Sequence, residues 1–418
     1  MRLLIVGGGG REHALAWKFK QSSGISELYC APGNAGIAEL ATCVPIKATD
    51  LDGIVHFACA QKIDRVFVAP DDPLAMGLVD RLEEAGIRAY GPRKAAALIE
   101  SSKAFAKDLM RKYKIPTASY QVFQDTEAAL AYAEQASLPL VVKADGLALG
   151  KGVVIARTRA EARQAIEDMM LNSRFGQAGR TVVLESFLRG PELTVLAFTD
   201  GRTIRPMVSS RDHKRSLDGD QGLNTGGMGA IAPGAEIDAA GWQLMTDKIF
   251  QPTIDALRAE GRPFKGVLYF GLMLTEQGPY VIEYNARFGD PEAQAVLPLL
   301  QTDLLDIMEA IAEERLAEQP IIWSEHSACS VVMASGGYPL AYQTGYPING
   351  LEQVPADCLV FHAGTKRERD CVLTAGGRVL AVTAVAPSLD VAIRKAYDAV
   401  QCISFQNMHY RQDIGKRT

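Results

Sequence analysis

The residues best suited to chemistry include a lysine-flanked glycine loop, Lys143-Ala-Asp-Gly-Leu-Ala-Leu-Gly-Lys-Gly-Val-Val154. A P-loop of the Walker type needs four residues between its glycines, a Ser or Thr after its lysine, and a following helix whose N-terminus adds dipole and free N–H groups. Here three residues separate Gly146 from Gly150, Gly152 follows Lys151, and Val153-Val-Ile-Ala156 reads as a strand. The loop is therefore expected at a hairpin tip, closing over phosphates as a flap. Gly146, Gly150 and Gly152 supply flexibility and amides, and Lys143 and Lys151 supply charge. Taken alone, such a loop could also be a plain surface turn.

A second stretch, Val281-Ile-Glu-Tyr-Asn-Ala-Arg-Phe-Gly-Asp-Pro-Glu292, reads as a strand end. Side chains alternate on a strand, so Glu283, Asn285 and Arg287 are expected on one face. Glu and Asn offer hard oxygen ligands for Mg²⁺ (or Mn²⁺), an ion that keeps waters and bridges substrate phosphates, and Arg287 can sit beside those phosphates. A third cluster, Ser209-Ser-Arg-Asp-His-Lys-Arg215, precedes Asn224-Thr-Gly-Gly-Met-Gly229. Its cations and backbone amides suit an anionic substrate, with Asp212 able to take an amine and His213 a weaker candidate base. A mobile charged loop is the competing reading.

The N-terminal Gly7-Gly-Gly-Gly-Arg-Glu-His13 follows a strand and opens a helix, the place for a phosphate. It fails the dinucleotide fingerprint: Glu12 stands where the third glycine belongs, and the next strand ends in Cys30-Ala-Pro rather than an acid. Arg11 and His13 in the first helical turn oppose the helix dipole, which points to a function for them.

The elements that must position these groups follow from the hydrophobic pattern. At 418 residues, 48% hydrophobic, the chain is long enough for several cores, and three domains are expected. Residues 1–101 alternate short β-branched runs with helical stretches and read as a parallel α/β domain. Residues 102–318 bring antiparallel pairing, with a subdomain at about 118–190, a helix over Asp238 to Glu260, and long strands Gly266 to Thr275 and Tyr280 to Arg287. Residues 319–418 read as a small α+β domain. The net charge is −5, without a long basic run, which argues against a nucleic-acid surface. No apolar run reaches the ~20 residues of a membrane span, and no signal-peptide layout is evident, so a cytoplasmic location is expected. The seven cysteines include no Cys-x-x-Cys pair and read as reduced thiols.

In order along the chain, GGREHAL (Gly9 to Leu15), APGNAG (Ala31 to Gly36), SKAFAKDLM (Ser102 to Met110), KADGLALGKGV (Lys143 to Val153), DHKR (Asp212 to Arg215), NTGGMGA (Asn224 to Ala230) and EYNARFGDPE (Glu283 to Glu292) resemble the glycinamide ribonucleotide synthetases, phosphoribosylamine–glycine ligases of the ATP-grasp superfamily. FHAGTK (Phe361 to Lys366) and GGRVLAVTA (Gly376 to Ala384) extend the likeness to the C-terminal region. The resemblance implies an ATP-grasp fold in the centre, ATP and Mg²⁺ as cofactors, and glycine and 5-phosphoribosylamine as substrates of a monomeric enzyme acting through a glycyl phosphate.

By the same resemblance, Lys103 and Lys143 hold the ATP phosphates, and Glu185, Phe187, Leu188 and Glu192 lie at the adenine–ribose hinge. Glu283 and Asn285 hold the metal, and Arg287, Asp290, Asp212 and Lys214 act on glycine and its acyl phosphate. The sugar phosphate is expected on Gly9, Gly10, Arg11, Glu12 and His13 with Asn34 nearby, and His213, Gly226, Gly227, Met228 and Gly229 complete the substrate site. Three places depart from the family pattern: Ala69-Pro-Asp-Asp-Pro-Leu74, Arg211 and Leu223. They keep two rivals in view, a ligase with another amine acceptor and a nucleotide-binding regulator without catalysis. The intact Glu283, Asn285 and Arg287 speak against the regulator.

Overall fold

The computed structural model describes residues 1–147, 152–172 and 176–416. Gly150 and Lys151 lie outside the described residues. The N-terminal sheet is fully parallel, in the order Thr42–Cys43, Glu27–Pro32, Arg2–Gly7, Arg65–Val68, Arg88–Tyr90. Its order reverses direction beside Arg2–Gly7, so ligand groups are expected at the carboxyl ends of that strand and of Arg65–Val68. Gly8 to His13 and Asp71 lie there. The helical stretch after Arg65–Val68 is two helices, Asp71–Met76 and Leu78–Glu84. They meet at Gly77, whose φ of 93° no β-carbon tolerates easily.

A smaller sheet, in the order Tyr120–Phe123, Val182–Ser186, Leu140–Ala144, Val153–Ala156, is antiparallel throughout. Helices Thr126–Gln135 and Arg159–Met170 cover it and close a separate apolar core. Lys143 pairs with Val153 across the glycine loop, which is therefore a hairpin connection. The central antiparallel sheet runs Ile204–Pro206, Glu192–Thr199, Gly266–Thr275, Gly278–Asn285. Its last strand ends at Asn285, two residues before the expected end, where Glu100 accepts the Ala286 N–H at 2.7 Å. The helix expected over Asp238 to Glu260 contains a wider turn at Thr246–Phe250 between Ala239–Met245 and Gln251–Ala259. Pro252, which has no N–H to give, stands just after that turn.

The C-terminal sheet is not built from the C-terminal residues alone. Its order is Arg211–Asp212, Gly229–Ala232, Ser327–Ser335, Arg378–Ala386, Cys358–His362, with Met408–His409 pairing on Ser327–Ser335 and helix Leu389–Cys402 packed against it. Two strands of the Asp212 to Gly229 region thus belong to it. An apolar cluster joins Leu3, Phe19, Phe198, Phe288, Leu304 and Phe361, which come from all three regions. Among the described residues no helix is long and apolar enough to cross a membrane.

His13 lies against His362 and Phe361 at the junction of the N- and C-terminal regions. Its Nδ1 accepts the His362 N–H at 2.7 Å, so the ring must stay neutral there. Burial, then the neighbouring His362, bring its pKa down to about 3. In the unfolded chain the same ring protonates near 6.5, so stability contributed by the neutral form is lost as pH falls from 6.5 toward 3. Between pH 7.5 and 5 the wild-type protein is expected to lose about 2 kcal/mol more than His13→Gln, read from urea unfolding at both pH values. Equal losses in the two proteins would show that the His13 ring titrates in the native state as it does in the unfolded chain.

Candidate active site

The parallel domain, the small sheet, the central sheet and the C-terminal sheet surround one cavity of about 980 Å³. This is at the upper end of the volumes that small-ligand sites take. Strand Gly278–Asn285 carries Glu283 and Asn285 into it, and Arg287 joins them from just past the strand end. All three face the cavity, as alternation implied. Arg287 donates to the Asn285 side-chain oxygen at 3.3 Å and pairs with Glu100 at 2.9 Å.

Cations converge on Glu283 from different elements. Lys214 stands 3.4 Å away, and also 3.5 Å from Glu192. Lys103 opens helix Lys103–Lys112, after Ser102 caps it by accepting the Phe105 N–H, and donates to the Gly146 carbonyl at 2.9 Å. Lys143 donates to the Ile282 carbonyl at 3.0 Å. Burial acts to raise the Glu283 carboxyl, but Lys214, Lys143 and Lys103 outweigh it and bring the pKa down to about 2. Glu283 and Lys214 keep about a third of their side-chain surface open, 30% and 34%, so water and ligands reach the pair.

Glu185, expected at the adenine hinge, is only 3% exposed and lies between two lysines, Lys107 at 2.8 Å and Lys143 at 2.9 Å. Its carboxylate is thus tied to positioning Lys143. Burial lowers the Lys107 ammonium, Glu185 offsets only part of that, and the pKa comes to about 8. Lys107 was not singled out from the sequence. It stands four residues after Lys103 and so one helical turn along the same face, a spacing that could have drawn attention to it. Phe187 and Leu188 line the cavity beside Glu185. Gly152 accepts the Ala144 N–H at the base of the hairpin.

Asp212 and Glu292 line the same cavity as electrostatic neighbours. Burial, and after it the charge of Glu292, push Asp212 well above the usual carboxylate range, and burial raises Glu292 as well. Asp212 Oδ1 and Arg287 Nε are buried without a partner among the described residues. Gly227 permits this arrangement: a β-carbon there would come within 2.6 Å of Asp212 Oδ1 and 2.4 Å of Pro291. His213 is neutral, brought to about 4 by burial and then by Arg211 and Arg411, and its Nε2 accepts the Gly415 N–H. That bond leaves it poorly placed as a base.

Several residues expected at the substrate already have partners within the chain. Asn34 has both side-chain ends engaged, donating to the Gly8 and His362 carbonyls and accepting the Gly36 and Ile37 N–H groups. Glu12 folds back to accept the Gly9 N–H at 2.6 Å and pairs with Arg11. His13 is sealed at the junction already described. Gly10 packs under Gln294, Met228 is fully buried in the C-terminal core, and Gly229 is a strand residue. Arg11 still lines the cavity, but Asp290 accepts its backbone N–H, Gln294 and Arg378 at 3.4, 2.8 and 3.3 Å, so the Asp290 carboxylate is largely occupied. Glu100 and Arg378 also escaped the sequence reading as site residues. Glu100 lies on a helix with no motif around it, whereas Arg378 sits in the GGRV stretch.

The oxygen set fits a hard divalent ion. Glu283 is ionised, Asn285 offers a neutral oxygen, and the described residues contain no cluster of three or more His, Cys, Asp or Glu that would form an all-protein cage. An ion of the Mg²⁺ type needs no cage, since it retains waters and takes phosphate oxygens.

Comparisons with known proteins agree with this architecture. Three family models match in sequence: phosphoribosylglycinamide synthetase N domain over residues 1–100, its ATP-grasp (A) domain over 101–293, and its C domain over 328–417. The phosphoribosylamine–glycine ligase of Halalkalibacterium halodurans is 49% identical over 417 residues, covering 100% of this chain and 97% of that protein. The crystal structure of phosphoribosylamine–glycine ligase from Thermotoga maritima superposes with a TM-score of 0.88 at 33% identity, covering 99% of this chain and 100% of that one. A biotin carboxylase from Campylobacter jejuni shares the fold alone, with a TM-score of 0.76 at 15% identity over 98% of this chain and 92% of that one. With these models matching residues 1–293 and 328–417 and a relative near half identity over its whole length, the chain belongs to the phosphoribosylglycinamide synthetase family.

Proposed function

We propose that the protein is an ATP-dependent ligase that joins glycine to 5-phosphoribosylamine, giving glycinamide ribonucleotide, ADP and phosphate. The observation that carries this reading is the pairing of two unlike halves in one cavity. Lys103, Lys143 and ionised Glu283 form a phosphate and metal wall, and Asp212 and Glu292 line the same cavity as an acid pair.

A carboxylate is a poor electrophile until one of its oxygens becomes a leaving group. In the first step a glycine carboxylate oxygen attacks the ATP γ-phosphorus, the bond to the β,γ-bridging oxygen breaks, and ADP leaves. In the second the amine nitrogen of the acceptor attacks the acyl carbon, the carbon–oxygen bond to phosphate breaks, and the amine gives up a proton. Catalysis of this kind is mostly positioning and charge neutralisation. Lys103 and Lys143 neutralise the ATP phosphates, and Glu185 with Lys107 holds Lys143 in place. Asp212 and Glu292, repelling each other, are stabilised by a cation and hold the glycine ammonium. Arg287, anchored by Glu100, lies against the carboxylate and the acyl phosphate formed from it. Glu283 and Asn285 would hold Mg²⁺ or Mn²⁺, for which oxygen donors are suited; when bound, the ion would neutralise charge on the transferring phosphoryl group.

The direct test is ADP release with Mg-ATP, glycine and phosphoribosylamine generated in situ from ribose 5-phosphate and ammonia, with mass detection of the product. ADP formed in step with glycinamide ribonucleotide supports the reading; ADP formed with another amine product would assign a different acceptor and give Asp71 and Arg211, both on the cavity wall, that role. Glu283→Gln is expected to lower kcat by about a thousandfold while ATP still binds, and to weaken Mn²⁺ binding measured by electron paramagnetic resonance. Unchanged Mn²⁺ affinity would remove Glu283 from the metal site. Asp212→Asn is expected to raise the glycine KM about tenfold or more with the ATP KM within twofold. A glycine KM equal to that of the wild type would place the ammonium elsewhere.

A further inference from the structure

The hairpin formed by Arg215–Leu217 and Gln221–Asn224 begins directly after Lys214 and leads into Gly226 and Gly227. Its placement therefore sets Lys214, 3.4 Å from Glu283, and Gly227, packed against the Asp212 carboxylate proposed above to hold the glycine ammonium. Yet it has little apolar anchorage: Leu217 and Leu223 are 49% and 48% exposed. A polar clamp from the end of the chain holds it instead, with Arg411 at the centre. Arg411 is 1% exposed. It donates to both Asp413 oxygens at 2.7 and 2.8 Å, to Asp220 Oδ1 at 2.8 Å and to the Arg215 carbonyl at 3.1 Å.

The neighbours of Arg411 extend the clamp. Asp413 accepts the Gly219 N–H at 2.8 Å, and the Gln412 N–H goes to Asp218 at 2.8 Å. His409 Nε2 lies 2.7 Å from the Ser216 carbonyl and must donate to it, since a carbonyl only accepts. At the exit of the hairpin Arg378 grips the Gly226 and Asp290 carbonyls at 2.6 and 2.7 Å, and the Tyr338 hydroxyl accepts the Gly226 N–H. A guanidinium committed to hairpin and tail in this way acts on substrate through the elements it holds.

We propose that Arg411 is a positioning residue for the amine-acceptor half-reaction: by fixing the hairpin it sets where Lys214 and the Gly226-Gly227 turn stand, and so sets the affinity for the acceptor. The inference rests on the ligase reading above. Lys103, Lys143 and Glu283 stand on helix and strand segments that the clamp does not touch, and Lys214, 3.4 Å from Glu283, is its one link to the ATP half, so the acceptor KM is expected to move more than the ATP KM. Lysine cannot replace the planar fork that holds Asp413 and Asp220 together, and Arg411→Lys is therefore a partial substitute only.

The test compares Arg411→Gln, Arg411→Lys and Asp220→Asn. Asp220 has φ 53°, a left-handed value that asparagine accepts readily, and its side chain is 60% exposed, so that variant removes the charge and keeps the fold. Arg411→Gln is expected to raise the acceptor KM about tenfold and Asp220→Asn about threefold, with Arg411→Lys in between. The ATP KM, and glycine-dependent positional isotope scrambling of ATP without acceptor, stay within twofold. If Arg411→Gln fails to fold, Asp220→Asn decides the matter by the same readouts. An unmoved acceptor KM in a folded variant, or an equal rise in the ATP and acceptor KM values, overturns the inference while wild-type turnover leaves the ligase reading standing. A wild-type protein that makes no glycinamide ribonucleotide from this amine overturns both.

Discussion

The arrangement depends on keeping Glu283 charged inside a cavity. Burial favours the neutral acid, and only cations brought close from elsewhere reverse that preference. Lys103 comes from a helix start, Lys143 from the small sheet and Lys214 from the link into the hairpin, so the charge state of one strand residue reports the assembly of three elements. The same economy appears around Glu185, which pairs with two lysines and thereby aims one of them. Unpaired, the buried charges of Glu185, Lys107 and Lys143 would cost several kcal/mol, which ties the fold of the cavity wall to its electrostatics.

Apolar packing supplies the rigid frame for these charges. One cluster runs through residues of the N-terminal sheet, the central sheet and the C-terminal region, so no region closes its core alone. The small sheet is the exception, with a core of its own formed by Val142, Leu184, Ile166 and their neighbours. The C-terminal sheet recruits Arg211–Asp212 and Gly229–Ala232 by hydrogen-bonded pairing, so that the chain between them is displayed at the cavity by a sheet whose other strands come a hundred residues later. This also explains why polar contacts from residues 409–415 reach the hairpin tip.

Much of this was legible in the residues. The spacing of the glycine loop, with a β-branched run after Lys151, excluded a P-loop and implied the hairpin that Lys143 and Val153 form. Alternation placed Glu283 and Asn285 on one face. Local rules faltered where a distant partner intervenes. Glycine-rich Gly7 to Gly10 reads as an anion cradle, yet Glu12 and Asp290 already occupy the N–H groups of Gly9 and Arg11. Asn34 and His13 look available in a motif, but the His362 backbone, more than three hundred residues away, engages both. Met228 stands within a glycine run and yet its side chain is fully buried in the C-terminal core.

By itself the sequence determined the classes of element, the cavity-facing strand with its two oxygen donors, and the family, because periodicity, turn chemistry and ordered motifs are properties of neighbouring residues. The tertiary structure alone decided which charged groups meet. Asp212 beside Glu292, Lys107 and Lys143 around Glu185, Arg287 on Glu100 and Arg411 across Asp220 and Asp413 are pairings set by how sheets stack and where strands cross. Electrostatic energy falls with distance in space and takes no account of separation along the chain, so no local pattern could have announced most of them.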